Sequence, residues 1–280
     1  MNTFSRFFLV LISLPLLTAC AGSAYKLPAV NDADVKTMQQ KIADNNEPLV
    51  VYERSDKKNK QLVANIASRL AKNAKPLCTY AEYKSCYFQV EYNPGNEINA
   101  YASENYKITV YRGLLQYLKN NDEIAAVIAH EMGHHLANHN EEKQQNASAG
   151  AAISGILTAV VLAAANNNNP YYNSYQQQQD QKTLEDMMHV GAKVGALSYS
   201  KEQEREADLL ATYLLSRAKY DLKKAGNIMV VLSKSSGEGS LSRSAFLDTH
   251  PAGVERVVAW QEAIDEINHN PSKLPYLSKK

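Results

Sequence analysis

The segment His130-Glu131-Met132-Gly133-His134 constrains this chain most, because it places two histidines four residues apart within a run of helical periodicity. That run extends from Asn121 to Asn138, with polar capping residues before it and an apolar stripe inside it. On a helix, positions i and i+4 lie about 40° apart, so both imidazoles face the same way. Two imidazoles that converge on one point suit a divalent ion, above all zinc. The spacing therefore predicts a metal site with His130 and His134 as ligands.

Glu131 adds a chemical function to this predicted site. It cannot bind the same metal from the same helical turn, but it can reach a water beside the metal and take its proton. A metal and a general base together are what the hydrolysis of an amide requires. This pattern arises by chance in roughly one chain in a hundred of this length. A surface helix with two unrelated histidines therefore stays open on the motif alone.

A catalytic zinc usually has three protein ligands and one open position, so a third ligand is expected elsewhere in the chain. The best candidate is Glu204, in the acidic and helical segment 200–208. Asp208 lies four residues later on the same face, where it could orient a ligand imidazole. On composition alone, Glu202, Glu206 or Asp208 could take the place of Glu204, and the segment could also be a solvated charged face.

Three motifs in a fixed order carry a family resemblance. They are H-E-x-x-H at 130–134, then Glu204-Arg205-Glu206-Ala207-Asp208, then Thr249-His250-Pro251. In this order the chain resembles the HtpX and CAAX-prenyl-protease-like family of zinc metallopeptidases, and within it the periplasmic lipoprotein branch. The resemblance covers about residues 99–256. It implies an endopeptidase of the zincin, gluzincin-like class with one zinc ion per chain.

The resemblance also implies roles for individual residues. Glu204 becomes the third zinc ligand, and Asp208 becomes its supporting partner. His250 and Arg256 are placed near the active site, where a cationic or hydrogen-bonding group could stabilise the oxyanion of the reaction. His250 could instead be a helix-start residue, or it could hold the open zinc position and keep the enzyme latent.

The N-terminal residues predict export. Residues 1–19 contain one basic residue and the apolar stretch Phe7–Leu17, which is typical of a secretory signal peptide. A cysteine directly after Leu-Thr-Ala resembles the bacterial lipoprotein signal, so Cys20 is expected to be lipidated and residues 20–31 to form a tether. A plain signal peptide or a short membrane anchor is the alternative. Ala21 is not aspartate, which by analogy with lipoprotein sorting favours the periplasmic face of the outer membrane.

Cys78 and Cys86 remain once Cys20 is assigned to lipid. An even remainder in an exported chain predicts a disulfide, worth roughly 2.5 kcal/mol in the chain-entropy model. Two buried free thiols are the alternative. The formal net charge of +1 gives no indication of a nucleic-acid partner.

Periodicity predicts an α+β fold that is mostly helical, with a small sheet beside the zinc helix. The metallopeptidase domain is expected over 32–270, followed by a tail at 271–280. His135 and His139 are expected to be structural or solvent-facing. The predicted helices span 34–45 and 56–72, and the predicted strands span 87–92, 98–101 and 106–111.

Two segments between the second and third predicted ligands are distinctive. Ala147–Ala165 has no charge and is long enough for a transmembrane helix, but it is rich in small residues. We therefore expect a helix packed against the protein or lining the substrate groove. Residues 166–181 are rich in asparagine, tyrosine and glutamine, which predicts a mobile loop that overhangs the cleft.

The combined prediction is a zinc-dependent endopeptidase of the bacterial cell envelope, with Glu131 as general base. Its substrates are proteins or peptides, and the resemblance suggests misfolded or unassembled envelope proteins. The substrate is expected to extend along the strand at 107–111 by strand addition. The alternative is a non-proteolytic assembly factor that uses the same cleft to hold outer-membrane proteins. The presence of Glu131 argues against it, because a pure holder needs no base.

Overall fold

The structure is a computed structural model, and it describes residues 23–45, 48–80, 86–167, 169–196, 198–234 and 244–278. The predicted signal peptide at 1–19 and the predicted lipidation site Cys20 lie outside the described residues.

The predicted class, mostly helical α+β with a small sheet, is confirmed. The strands are β1 (Gln89–Asn93), β2 (Ala100–Ser103) and β3 (Lys107–Tyr111). The helices are α1 (Asp32–Asp44), α2 (Asp56–Tyr80), α3 (Arg112–Leu115), α4 (Asn121–Leu136), α5 (His139–Asn166), α6 (Ser174–Gly195), α7 (Lys201–Arg217), α8 (Leu222–Lys234), α9 (Ala245–Thr249) and α10 (Val254–His269).

Both helices that carry the predicted ligands begin at well-capped residues. The Asn120 side chain accepts a hydrogen bond from the Glu123 backbone N–H at the start of α4. At the start of α7, Ser200 and Gln203 form a reciprocal capping box. Caps of this kind satisfy backbone donors that the helix itself leaves unpaired, typically for about 1 kcal/mol each. The start of each helix is thus fixed by its own sequence.

Gly133 allows these two helices to approach closely. A Cβ atom at this position would lie 2.5 Å from the Ala207 carbonyl oxygen, closer than real Cβ atoms come to backbone. The buried helix α4 therefore packs against α7 with almost no side chain between their backbones at this level. Glu204 lies one turn before Ala207, so this approach brings its carboxylate to the histidines of α4.

The sheet has the strand order β1-β3-β2, with β3 parallel to β1 and antiparallel to β2. Because β3 is paired on both sides, the expectation that a substrate adds to Lys107–Tyr111 is wrong. The strands at the edges are β1, which contacts α2, and β2, which contacts α4.

The region between the second and third ligands differs from its prediction. α6 begins at Ser174, where the side chains of Asn173 and Gln176 form a capping box, so residues 174–181 are helical. The predicted loop thus shrinks to a short connection after Asn166. Glutamine is a good helix former, and the asparagine cap gives the helix a fixed start, which explains why low complexity did not produce a long loop here.

The predicted packing of Ala147–Ala165 is also wrong. α5 and α6 form an antiparallel hairpin in which Gly150 contacts Gly191 backbone to backbone and Gly155 contacts Met188. The first two turns of α5 contact the rest of the protein, whereas most of its apolar side chains further along are exposed. Small residues on α5 serve its contact with α6, so they do not require packing against the body.

The predicted tether is part of the fold from residue 23 onward. Tyr25 is buried, and it forms an isolated β-bridge with Leu277 of the predicted tail. The Lys26 N–H donates to the Tyr276 carbonyl, and the Ser278 N–H donates to the Ala24 carbonyl. The two terminal segments therefore hold each other against the body.

The predicted disulfide between Cys78 and Cys86 is confirmed, with Cα atoms 5.7 Å apart. It joins the last turns of α2 to the segment that leads into β1. This link fixes the distance between the end of α2 and the segment before β1.

Candidate metal centre

Four buried side chains converge between α4, α7 and the residue that follows α9. They are His130, His134, Glu204 and His250, and each offers one ligand atom within 4.8 Å of the others. The Nε2 atoms of His130 and His134 lie 3.1 Å apart, as the i,i+4 spacing predicted. Glu204 Oε1 lies 3.3 Å from His134 Nε2, and Glu204 Oε2 lies 3.4 Å from His130 Nε2.

These distances suit a small tetrahedral ion. Zinc bound at about 2.0–2.1 Å to nitrogen and oxygen would separate its ligand atoms by roughly 3.3 Å. The observed separations between the two imidazoles and Glu204 run from 3.1 to 3.4 Å. Two imidazoles and one carboxylate are also a ligand set that catalytic zinc sites use. The donor atoms present therefore fit one zinc ion.

The charge balance of the pocket also fits a divalent cation. Glu131, Glu204 and Asp208 are three buried carboxylates, and Arg256 is the buried guanidinium that faces Glu204 and Asp208. Both oxygens of the Glu131 carboxylate lack a hydrogen bond within the described residues. Buried carboxylates without partners are costly, and a cation with a 2+ charge would balance this group.

The two motif histidines differ in their pKa. Burial lowers the pKa of His130, but the Glu204 and Asp208 carboxylates outweigh it and raise the pKa to about 10. Burial dominates at His134, whose pKa falls well below the usual range. Without a metal, a proton on His130 therefore supplies positive charge among the carboxylates. Metal binding needs neutral imidazoles, so it should release this proton.

Asp208 and Arg256 contact the predicted ligands His130 and Glu204. An Asp208 carboxylate oxygen lies 2.9 Å from His130 Nδ1, a position from which it could orient this imidazole, as the sequence predicts. Arg256 makes two hydrogen bonds to Asp208, of 2.7 and 2.9 Å, and its third nitrogen faces Glu204 and the Pro251 carbonyl. Arg256 lies where the resemblance put it, near the site. Its contacts indicate that it positions ligands, whereas an oxyanion role stays a prediction.

Replacing Arg256 with methionine should destabilise the protein by about 3–5 kcal/mol, because Glu204 and Asp208 would lose their buried counter-charge. The free energy of unfolding of the zinc-loaded protein, measured in urea, checks this. Arg256→Lys is the control, since it keeps the charge and loses only the two-pronged geometry. A loss of ~1 kcal/mol or less, typical of exposed ion pairs, would contradict a buried role.

A second series of side-chain contacts supports His134. His134 Nδ1 lies 3.0 Å from His139 Nδ1, and His139 Nε2 lies 3.1 Å from Glu206 Oε2. The Tyr25 backbone N–H donates to the other Glu206 oxygen at 2.9 Å. His139 is thus structural, as expected, but it also orients a ligand. The sequence suggests Glu206 only as an alternative metal ligand. It does not predict the contacts of Glu206 with His139 and Tyr25, because no spacing rule connects residues so far apart.

Glu131 and His250 face each other across the site. The Glu131 carboxylate is fully buried, and its Oε1 lies 3.5 Å from His250 Nε2. His250 Nδ1 lies 2.9 Å from Glu204 Oε1 and 3.2 Å from His130 Nε2. The His250 ring stacks on Phe246, which fixes its orientation. His250 therefore stands as a fourth donor beside the three ligands expected from the sequence.

A buried H-E-x-x-H helix with an acidic ligand from a later helix defines a zincin-like metallopeptidase. The chain belongs to peptidase family M48, whose family model matches residues 58–264. It is 34% identical over 119 residues to the metalloprotease YcaL of Escherichia coli, covering 42% of each chain. Its identity is 27% over 125 residues to the metalloprotease LoiP of Escherichia coli, covering 44% of this chain and 45% of LoiP.

A mitochondrial relative is similarly distant. The chain is 29% identical over 160 residues to the mitochondrial metalloendopeptidase OMA1 of Arabidopsis thaliana, covering 57% of this chain and 28% of OMA1. The chain thus spans less than half the length of the relatives named here.

Proposed function

We propose that this protein is a zinc-dependent endopeptidase that hydrolyses protein substrates. The observation that carries the proposal is Glu131. Its carboxylate is buried beside the converging donors of His130, His134 and Glu204, yet none of the described residues donates a hydrogen bond to it. A residue that only stabilised the fold would accept a hydrogen bond at this depth. A buried carboxylate that accepts none, and that lies 3.5 Å from His250 Nε2 beside a metal site, suits a general base.

Each residue has a separate task in this proposal. His130, His134 and Glu204 would hold zinc, which polarises a carbonyl and lowers the pKa of water when bound. Glu131 takes the proton from the attacking water and later gives it to the leaving amine. Asp208, behind His130, and His139, behind His134, keep the imidazoles oriented toward the metal position.

The substrate is proposed to lie along β2. This strand pairs with β3 on one side, and no strand among the described residues pairs with its other side. β2 also contacts α4, the helix that carries Glu131. Just before the strand, the Ile98 carbonyl accepts the Phe246 N–H, which places β2 near the segment that carries His250. An extended peptide could add to this edge by backbone hydrogen bonds.

Digestion of casein tests the proposed activity. The zinc-loaded protein should degrade casein, a chelator should stop the reaction, and added zinc should restore it. Fragments are followed by mass spectrometry so that internal cuts are distinguished from trimming at the ends. A zinc-loaded protein that binds unfolded clients and cleaves none would favour the non-proteolytic assembly factor.

His250 is proposed to hold the resting enzyme closed. Its Nδ1 atom shares the donor cluster with the three other ligand atoms, where a scissile carbonyl would otherwise approach. His250→Ala should therefore raise the cleavage rate of a short peptide several-fold and leave zinc content unchanged. Peptide kinetics and metal analysis check this, with His189→Ala on exposed α6 as the control. A rate reduced by two to three orders of magnitude would instead assign His250 to oxyanion stabilisation.

The proposed location is the periplasmic face of the outer membrane, with misfolded or unassembled envelope proteins as substrates. The signal-like residues 1–19 and Cys20 support the anchor. The disulfide Cys78–Cys86 supports an oxidising compartment. The substrate class rests on the family resemblance. The mass of the mature N-terminal peptide tests the anchor, because an unmodified Cys20 would exclude it.

A further inference from the structure

We propose that the α5–α6 hairpin docks on the lipid bilayer, with the uncharged face of α5 lying in the headgroup region. This inference rests on the proposed lipid anchor at Cys20. It adds a second, non-covalent contact between the protein and the membrane.

The first observation is the apolar face of α5. From Gln144 to Asn166 the helix has no charged residue. Five large apolar side chains on it are each between 51% and 65% exposed. They follow the spacing i, i+3, i+4, i+7 and i+8, so they share one face of the helix. They are Ile153, Ile156, Leu157, Val160 and Val161. A continuous exposed apolar face of this kind marks an interaction surface.

The second observation is the polarity of α6. Lys182, Glu185, Asp186 and Lys193 are exposed and share one face by their spacing. The apolar residues Met187, Val190 and Val194 share another face and are also exposed. Burying such charges in the centre of the bilayer is strongly unfavourable.

The charges of α6 argue against a spanning hairpin. Judged by itself, by length and composition, α5 could cross a membrane. If α5 crossed the membrane, α6 would have to cross with it and would carry its charged face into the bilayer. Crossing is therefore unfavourable. A hairpin that lies in the interface keeps the charges of α6 in water and still buries the apolar face of α5.

The third observation is the position of the hairpin relative to the anchor. Tyr25 donates to Glu206, and Glu206 bonds His139, the first residue of α5. Tyr25 lies five positions after Cys20, so the chain between their Cα atoms can span at most about 18 Å. A lipidated Cys20 would therefore keep Tyr25 close to the bilayer, and with it the base of the hairpin, which Tyr25 contacts through Glu206. This proximity favours lipid over a second copy or a soluble client as the occupant of the apolar face.

The membrane contact should be apolar in nature. The charged face of α6 carries both signs, and no basic cluster lies along the hairpin. Electrostatic attraction to anionic lipid would therefore contribute little, and docking should persist at high salt.

A fluorescent probe at two positions tests the docking. The full zinc-loaded chain with its acyl chains is labelled at Leu157→Cys, on the apolar face, or at Glu185→Cys, on the charged face. Each protein is added to vesicles of phosphatidylethanolamine and phosphatidylglycerol that contain doxyl-labelled lipid. We expect quenching of the probe at 157, at low and high salt, and none at 185. Adding Val160→Asp should abolish the quenching at 157, while Lys182→Asp should leave it unchanged.

Two results would overturn the inference. A probe at 157 that stays unquenched on vesicles would show that lipid does not cover this face. A probe at 157 that is shielded without lipid, in a protein that sediments as a dimer, would assign the face to a second copy. Cleavage of a short peptide is measured in the same samples. Lost cleavage with quenching intact counts against the peptidase proposal, and lost quenching with cleavage intact counts against docking.

Discussion

Glu131→Gln should reduce peptide cleavage by roughly 10²–10⁴-fold, the usual contribution of general acid–base catalysis. Glutamine keeps the shape of the side chain and its helix propensity, but it cannot accept a proton from water. The side chain is fully buried and lies outside the set of donor atoms that would bind zinc. Zinc content, client binding and unfolding free energy should therefore stay close to those of the unmodified protein.

Cleavage rates of a short peptide, with zinc content measured on the same samples, check this expectation. Glu141→Gln is the matched control, because it makes the same chemical change at an exposed position at the start of α5. The control should retain full activity. Unchanged proteolysis in Glu131→Gln would exclude the proposed mechanism, and equal loss in the control would point to a general defect.

The second large effect concerns the metal. Glu204→Ala should weaken zinc binding by more than about 100-fold, since the groups behind the ligands alone typically account for about 10–100-fold. The two Glu204 oxygens lie 3.3 Å from His134 Nε2 and 3.4 Å from His130 Nε2, and the carboxylate supplies part of the negative charge that a divalent cation needs. His130→Ala should have a comparable effect.

Metal analysis after dialysis, together with competition by a chromogenic chelator, measures this loss. Glu202→Ala is the matched control, because Glu202 is exposed on the same turn of α7 and should keep its zinc. Circular dichroism shows whether each variant folds. Full zinc in Glu204→Ala together with zinc loss in His250→Ala would assign the third ligand to His250.

Short spacings predicted most of the metal centre correctly. His130 and His134 share a helix, so four residues of spacing fix their mutual distance whatever surrounds them. Asp208 follows Glu204 by one turn for the same reason. Which acidic residue reaches the histidines depends on how α7 packs on α4. The sequence favours Glu204, but on composition alone Glu202, Glu206 or Asp208 could replace it, and the resemblance is what implies Glu204 as the ligand.

Contacts between residues far apart in the chain could not be predicted from the sequence. Strand order is set by pairing between segments, and alternation of apolar residues does not say which strand is central. For that reason the sequence does not reveal that β3 is the central strand, and the predicted addition of substrate to it is wrong. The Glu206 contact with Tyr25 joins residues 181 positions apart, and no local pattern reports it.

The prediction for the helix at Ala147–Ala165 was wrong for a different reason. Composition correctly detected that Ala147–Ala165 is helical and uncharged, but the length of a hydrophobic segment does not say what covers it. We expected the protein itself to cover it, whereas α6 covers one side and leaves the apolar face open. The capping pair Asn173 and Gln176, which starts α6, was hidden inside a segment interpreted only by its composition.

The hydrogen bond from Tyr25 to Glu206 bears on where the catalytic unit begins. A protein shortened to the segment from α2 to α10 would still contain each proposed zinc ligand. It would lack the backbone donor that holds Glu206, and with it the far end of the chain of contacts behind His134. We therefore expect a fully active fragment to start upstream of Tyr25 and to extend past its β-bridge partner Leu277.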